Sequence, residues 1–356
     1  MNLKYIVAFG LVITSLLINV SMPSKVIDKI NMITVSGYDK AEQNRIKETV
    51  VAPTYLEQGT VEDHVYTTSA DTVYGNRVKL NSKASEQLLN GKLRVAFYSE
   101  ELAKQGLKTP IEFLTRDTSI DSNLFLAITK VPAVELINTV KTKKGKGVYF
   151  EDLFEHNIIH GNLPDVSLKT FEDSLKGETS DPFLPMFGIE GETAKLESLA
   201  FFKDDRLVDT LPITQADVFK MLYENVGDGT YQYKSDDYNI SVENMESTRK
   251  ITAEKKNGSP EMTLDVRMTG VVREYTGEQV MDQKSKIETD IAQDFTEKAN
   301  RIIKSFQELN IDPLKLEDFF KSKHRSYNQD QFKEDYSDMT IKVKADMRLT
   351  GTGTRR

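Results

Sequence analysis

SKIETDIAQDFTEKANRIIKSFQELNID, residues 285–312, carries the clearest helical pattern of the polar part of the chain. Ile287, Ile291, Phe295, Ala299, Ile302, Phe306 and Leu309 step by four, four, four, three, four and three. That spacing draws one apolar stripe along a helix, which needs a surface to lie on. The surface is written just before it. TYQYK with DYNISVENM, then STRKITAEKK, then EMTLDVRMTGVVREY read as three long strands whose polar–apolar alternation means a sheet with one wet face. After the helix come a short helix, LEDFFKSK, a last strand, MTIKVKADMRL, and a loose tail, GTGTRR. Residues 186–352 therefore read as a mainly antiparallel sheet packed with one long helix.

Working towards the N-terminus, AKLESLAFFKDDRLVDTLP is a hairpin turning at Asp204-Asp205, followed by a helix from Thr214 or Gln215 to Gly227. GETSDPF, residues 177–183, is rich in turn formers and marks a seam. Residues 23–185 form a region of mixed strands and helices, with a second seam at the basic, Gly-bearing KTKKGKG of residues 141–147. INMITVSGYD and RIKETVVAP pair as strands, residues 54–72 read as loop, and residues 72–89 as a helix. Residues 93–98 and 124–130 are buried-type strands. Ser99 starts a helix that Gly106 ends, Pro110 sits in the first turn of another, and AVELINTV and residues 147–161 and 163–177 are helical. The class is α+β with two to three mixed α/β domains.

The chain begins with KYIVAFGLVITSLLINVSM, residues 4–22, its one strongly apolar run. Lys4 and the apolar centre fit a secretory signal. The run falls slightly short of the 20 or so residues of a full span and contains Ser15 and Asn19. Cleavage and retention as an anchor are both open.

The 356 residues carry a net charge of -8 and no Cys. An acidic chain lacks the basic face that displaces counterions, which argues against nucleic acid. The absence of Cys removes disulfides, thiolate nucleophiles and zinc–thiolate sites. Four His remain: His64, His156, His160 and His324. His156 and His160 share a helix face near Asp152 and Glu155, but HNIIH lacks the glutamate of HExxH, and a polar helix face is the preferred account. Asp204, Asp205 and Asp209 belong to a turn, where Asp bonds the local backbone. Asp312-Pro313 reads as a helix exit where Asp caps the next helix. No catalytic, cofactor-binding or metal site is expected.

Several segments, taken in order, resemble the C-subunit family of spore germinant receptors, Ger(x)C. INMITVSGYD is similar to the family's opening strand ending in Gly-x-Asp. LRVAFYSEELAKQGLKTPIEFLTRDTSIDSNLFLAITKVPAVEL resembles its strand, "GEELAKxGL"-like helix, Arg-Asp and Ala-x-Glu-Leu helix. ESLAFFKDDRLVDTLPITQADVFKMLYENVGDG resembles its hairpin and helix, and the long helix ending QELNIDPL with the last strand resembles its C-terminal portion. The resemblance implies three mixed α/β domains, a lipid on an N-terminal Cys, two membrane-spanning partner subunits of A and B type, and a non-enzymatic role in nutrient-triggered germination at the outer face of the membrane. The lipid-bearing position falls at Ser21, where Cys is absent, as is the family's Trp. A secreted or anchored binding module outside any receptor is the alternative; a hydrolase using carboxylates or His156 and His160 is a third reading.

Overall fold

The computed structural model describes residues 30–352 except 57–58, 162, 178, 257–258, 278–281 and 325–326. The apolar run of residues 4–22, Ser21 and the tail of residues 353–356 lie outside the described residues.

In chain order the elements are β1 (Ile30–Met32), β2 (Val35–Lys40), β3 (Ile46–Tyr55), β4 (Val61–Ala70), α1 (Val73–Asn81), β5 (Gln87–Leu89), β6 (Val95–Ser99), α2 (Glu100–Gln105), α3 (Lys108–Arg116), β7 (Phe125–Thr129), α4 (Ala133–Thr139), α5 (Lys146–Ile159) and α6 (Leu168–Gly177). Then follow β8 (Phe183–Glu190), β9 (Thr193–Lys203), β10 (Arg206–Pro212), α7 (Ala216–Tyr223), β11 (Tyr231–Lys234), β12 (Asn239–Lys256), β13 (Ser259–Tyr275), α8 (Lys284–Leu309), α9 (Leu316–Lys323), α10 (Gln329–Tyr336) and β14 (Thr340–Thr352). The fold is α+β. An eight-stranded mixed sheet has the order β10-β9-β8-β7-β6-β2-β3-β4, and a four-stranded sheet the order β11-β12-β13-β14.

The parallel centre of the first sheet follows from its sequence. β6 and β7 are short apolar runs, buried throughout or nearly so, as strands covered on both faces must be. Ser99 accepts the Leu102 N–H at 3.4 Å and starts α2; Gly106 ends it at φ +126. Gly37 in β2 is needed for close approach, because a Cβ there would stand 2.7 Å from Ile137 Cδ1 of α4. Two residues on, Asp39 accepts the N–H groups of Ala133 and Val134 at 2.6 and 3.0 Å, capping α4 across the sheet. The Gly-x-Asp of the opening strand is thus a helix-docking device.

In the second sheet the apolar stripe of α8 is buried from Ile287 through Phe306. It packs chiefly against β14, and Met262, Leu264, Val266, Met268, Val343 and Met347 of β13 and β14 are buried in the same core. β11, β12 and β13 are antiparallel, and β14 joins β13 in parallel. Tyr231 and Tyr238 donate from the β11–β12 hairpin to Asp294 and Asp290 of α8, each at 2.7 Å. Asn310, left-handed at φ +51, closes the helix.

Several expectations change. Residues 54–72 are not a loop: β4 pairs with β3 along ten residues. It is an edge strand, half wet on both faces, so its alternation is blurred. Lys79 and Lys83 of the α1 region donate to Ser69 and Thr67 carbonyls, satisfying part of the open edge. The helix expected over residues 72–89 stops at Asn81. Asn81 Oδ1 accepts the Leu88 N–H at 2.9 Å, and Leu88 and Leu89 pair with Asn31 and Met32 instead. DYNISVENM and STRKITAEKK are one strand, bent by a register shift between Glu243 and Glu246 with Asn244 at φ +50. The helix from Ala216 ends at Tyr223, and Val226 bridges Ser247. α10 was not expected: only Phe332 and Tyr336 mark its buried face. The division between residues 185 and 186 falls inside β8, which pairs with β7 on one side and β9 on the other. The first sheet therefore runs across it to Pro212. The seam at residues 141–147 likewise interrupts no sheet, since the strands on both sides of it share one.

Candidate functional site

The two sheets meet at a junction built by four segments: the residues before β8, the β9–β10 turn, the end of α8, and α9 with α10. Asp181 N–H donates to the Asp312 carbonyl at 3.1 Å, and Asp312 N–H donates to Asp181 Oδ2 at 2.8 Å. Asp204 N–H donates to Asp181 Oδ1 at 3.4 Å. Asp312 Oδ2 accepts the Glu317 N–H at 2.8 Å and so caps α9. Its Oδ1 is buried, and the Leu316 backbone N–H also lies against this carboxyl. Glu317 in turn accepts from Tyr327 Oη.

Asp181, Asp204, Asp312 and Glu317 border a cavity of about 360 Å³, with Lys203, Lys333 and Tyr336 also on its wall. Burial pushes the Asp312 carboxyl up to about 7, and the charges of Asp181 and Glu317 add to it. Burial likewise raises Asp181, against the pull of the Asp312 and Asp204 N–H groups. The site thus joins buried carboxyls to backbone N–H groups, and burial favours the protonated form of Asp312. Among the described residues no group of three or more His, Asp or Glu is arranged to hold a metal ion.

Beneath the polar layer lies an aromatic joint. Phe183 of β8 meets Phe219 of α7 edge-on with centroids 4.9 Å apart, and Phe201 of β9 meets Phe306 of α8 at 4.8 Å. A second polar bridge lies at the end of α5. Lys220 of α7, nearly fully buried, donates to the Ile158 and Gly161 carbonyls at 2.6 and 3.0 Å. That places a cation at a helix C-terminus, where it is favoured. His160 Nδ1 stands 3.0 Å from Asp228 Oδ2.

The residues singled out in the sequence do not converge. His156 and His160 share a face, with ring centroids 5.7 Å apart, but His160 is turned to Asp228. Asp152 is paired with Lys144 instead. His64 lies across β3–β4 from Thr54 at 3.1 Å, and His324 stacks on Phe320 with centroids 4.1 Å apart. Asp204 turns the hairpin at φ +55. Asp205 receives the N–H groups of Leu107 and Lys108 at 2.9 Å each, so the turn docks on the start of α3. Asp209 bonds its neighbour's N–H. Asp181 and Lys220 escaped sequence reading; the only trace of Asp181 was its place in the turn-forming GETSDPF.

A helix laid on a mainly antiparallel sheet, joined through an acidic clamp to a mixed sheet, defines a multi-domain α+β class only loosely, and comparison makes it specific. Residues 23–189 match the family model "Spore germination protein N-terminal domain", and residues 197–353 match "Spore germination B3/ GerAC like, C-terminal". The chain belongs to this family, the Ger(x)C-type C subunits of germinant receptors.

Among its relatives is the spore germination protein GerQC of Bacillus cereus, 27% identical over 93% of this chain and 94% of that one. Another is the putative spore germination protein YfkR of Bacillus subtilis (strain 168), 23% identical over 79% and 76%. The crystal structure of the GerBC protein superposes with a TM-score of 0.62 at 14% identity, covering 88% of this chain and 96% of that chain. It shares the fold. No helix among the described residues is long and apolar enough to cross a membrane.

Proposed function

We propose that the protein is a non-enzymatic C subunit of a nutrient germinant receptor. It stands at the outer face of the membrane, held by its N-terminal segment and assembled with membrane-spanning A- and B-type subunits. The observation that carries this reading is the pair of family models lying in order along one chain, from residue 23 to residue 353. The Asp181–Asp312 clamp and the Phe201–Phe306 joint support a coupling role, since both link the long C-terminal helix and its exit to the first sheet. The division between an N-terminal region and a C-terminal sheet-and-helix domain is then one of sequence modules, with the mechanical joint at the clamp. The absence of Cys at Ser21 favours a second reading, a secreted or anchored binding module outside a receptor. Deleting the gene tests the proposal: germination slows with at least one nutrient. Unchanged germination with every nutrient tried would overturn it.

A further inference from the structure

The β3–β4 hairpin extends past the rest of its sheet. Val51 is the last β3 residue paired with β2, opposite Val35, the first residue of that strand. Residues 52–55 continue with β4 alone, ending at Tyr55 opposite Val61. Ala52 and Pro53 are buried and Thr54 is half-buried, so the exposed tip of the hairpin begins at Tyr55. There Tyr55 is 69% exposed and Leu56 is 47% exposed, two adjacent large apolar side chains.

The chain enters the body at this same end. β1 pairs with β5 and packs beside β3, so the chain enters next to the hairpin. Residues 23–29 alone separate Ile30 from the apolar run of residues 4–22. Seven extended residues span at most about 25 Å. With the run held in a bilayer, the hairpin tip is confined to the neighbourhood of the lipid surface. The basic loop of residues 141–147 flanks it: a Cβ on Gly145 would stand 3.0 Å from Val61 Cγ1, and the Lys146 N–H donates to Asp63 Oδ2 at 2.9 Å. Lys141 and Lys144 are paired with Glu192 and Asp152, so the contact assigned to the tip is that of Tyr55 and Leu56.

We propose that Tyr55 and Leu56 insert into the interfacial layer of the membrane and form a second contact beside the N-terminal segment, fixing how the body stands on the lipid. This rests on the membrane attachment proposed above. A Tyr ring suits the headgroup level, with its apolar body inward and its hydroxyl wet, and Leu suits the acyl boundary. Two side chains bind a free protein weakly. A short tether raises their effective concentration to the millimolar range, which makes a weak contact persistent.

The chain has no Cys, so single reporters are unique. Tyr55→Cys, Leu56→Cys and, as control, Val208→Cys in β10 at the opposite edge of the sheet are made in the full chain and labelled with a polarity-sensitive fluorophore. Val208 is 40% exposed. The proteins are reconstituted into phosphatidylcholine–phosphatidylglycerol vesicles with or without a spin-labelled lipid quencher. The proposal predicts blue-shifted emission and at least threefold stronger quenching at 55 and 56 than at 208, little changed by raised salt. Equal quenching at all three positions, with the protein floating with the vesicles, overturns it. Shielding at 55 and 56 only when membrane-spanning subunits are added also overturns it, in favour of a protein contact. Protein that stays in the aqueous fraction overturns the attachment reading itself, and this proposal with it.

Discussion

Asp181 and Asp312, 131 residues apart, hold one another by bonds running in opposite directions: backbone to carbonyl at 3.1 Å, and backbone to carboxylate at 2.8 Å. Each bond crosses from the first sheet to the segment that leaves α8. Asp181→Ala leaves the Asp312 N–H without its side-chain acceptor in a buried place. The expected loss is about 1–3 kcal/mol in denaturant unfolding. Asp181→Asn, which keeps one acceptor oxygen, should lose less. Equal stability of Asp181→Ala and the parent would remove the clamp from the account.

Asp312 gives the junction a pH dependence. Its folded carboxyl titrates at about 7, against an ordinary value near 3.9 for unfolded Asp. Between these values the folded chain holds a proton that the unfolded chain releases. The stability this group contributes is thus full below about pH 4 and is lost as pH rises through 7. The loss is on the order of 4 kcal/mol at most. Asp217, raised to about 6 by burial, acts in the same direction. Asp312→Asn imitates the protonated acid. Its melting curve should match the parent at about pH 4 and exceed it by a margin that grows towards pH 8; parallel curves across that range would rule out the assignment.

Gly37 and Asp39 dock α4 on the sheet. Gly37→Ala forces its methyl against Ile137 Cδ1 and Ala133 Cβ, 2.7 and 3.0 Å away, and should cost about 1–3 kcal/mol. Asp39→Ala removes the acceptor of two helix N–H groups and should cost about 1–2 kcal/mol. Thermal unfolding of both variants checks these figures.

Glu48 of β3 and Arg77 of α1 form a buried ion pair at 2.9 Å, with the Glu48 side chain fully enclosed. Removing one partner strands the other charge, so Glu48→Gln or Arg77→Met should cost about 3–5 kcal/mol. The double replacement Glu48→Leu with Arg77→Met should recover most of that loss, which a double-mutant cycle measures directly.

Legibility in the sequence followed the range of the forces involved. The stripe of α8 was readable because burial repeats every three to four residues from Ile287 to Phe306. Ser99 and Gly106 were readable because caps act within a few residues. The Asp204-Asp205 turn was readable for the same reason, although its docking on Leu107 and Lys108 was not. β4 was hidden because an edge strand needs no continuous apolar face. The bend at Asn244 was read as a break between strands because a bulge and a turn share residue types. Asp181, Lys220 and the cavity between the sheets were invisible because their partners lie 131, 62 and 59 residues away along the chain. The resemblance of ordered segments reached the family where no single motif did.

The most direct test of the central claim is to express the full chain in a spore-forming host, solubilise the membranes, capture the protein, and take intact masses of everything retained. The account predicts a membrane-bound product still carrying residues 4–22, together with A- and B-type membrane-spanning subunits. A soluble product cleaved after this run, with no membrane protein retained, would contradict the receptor role and leave the free binding module in its place.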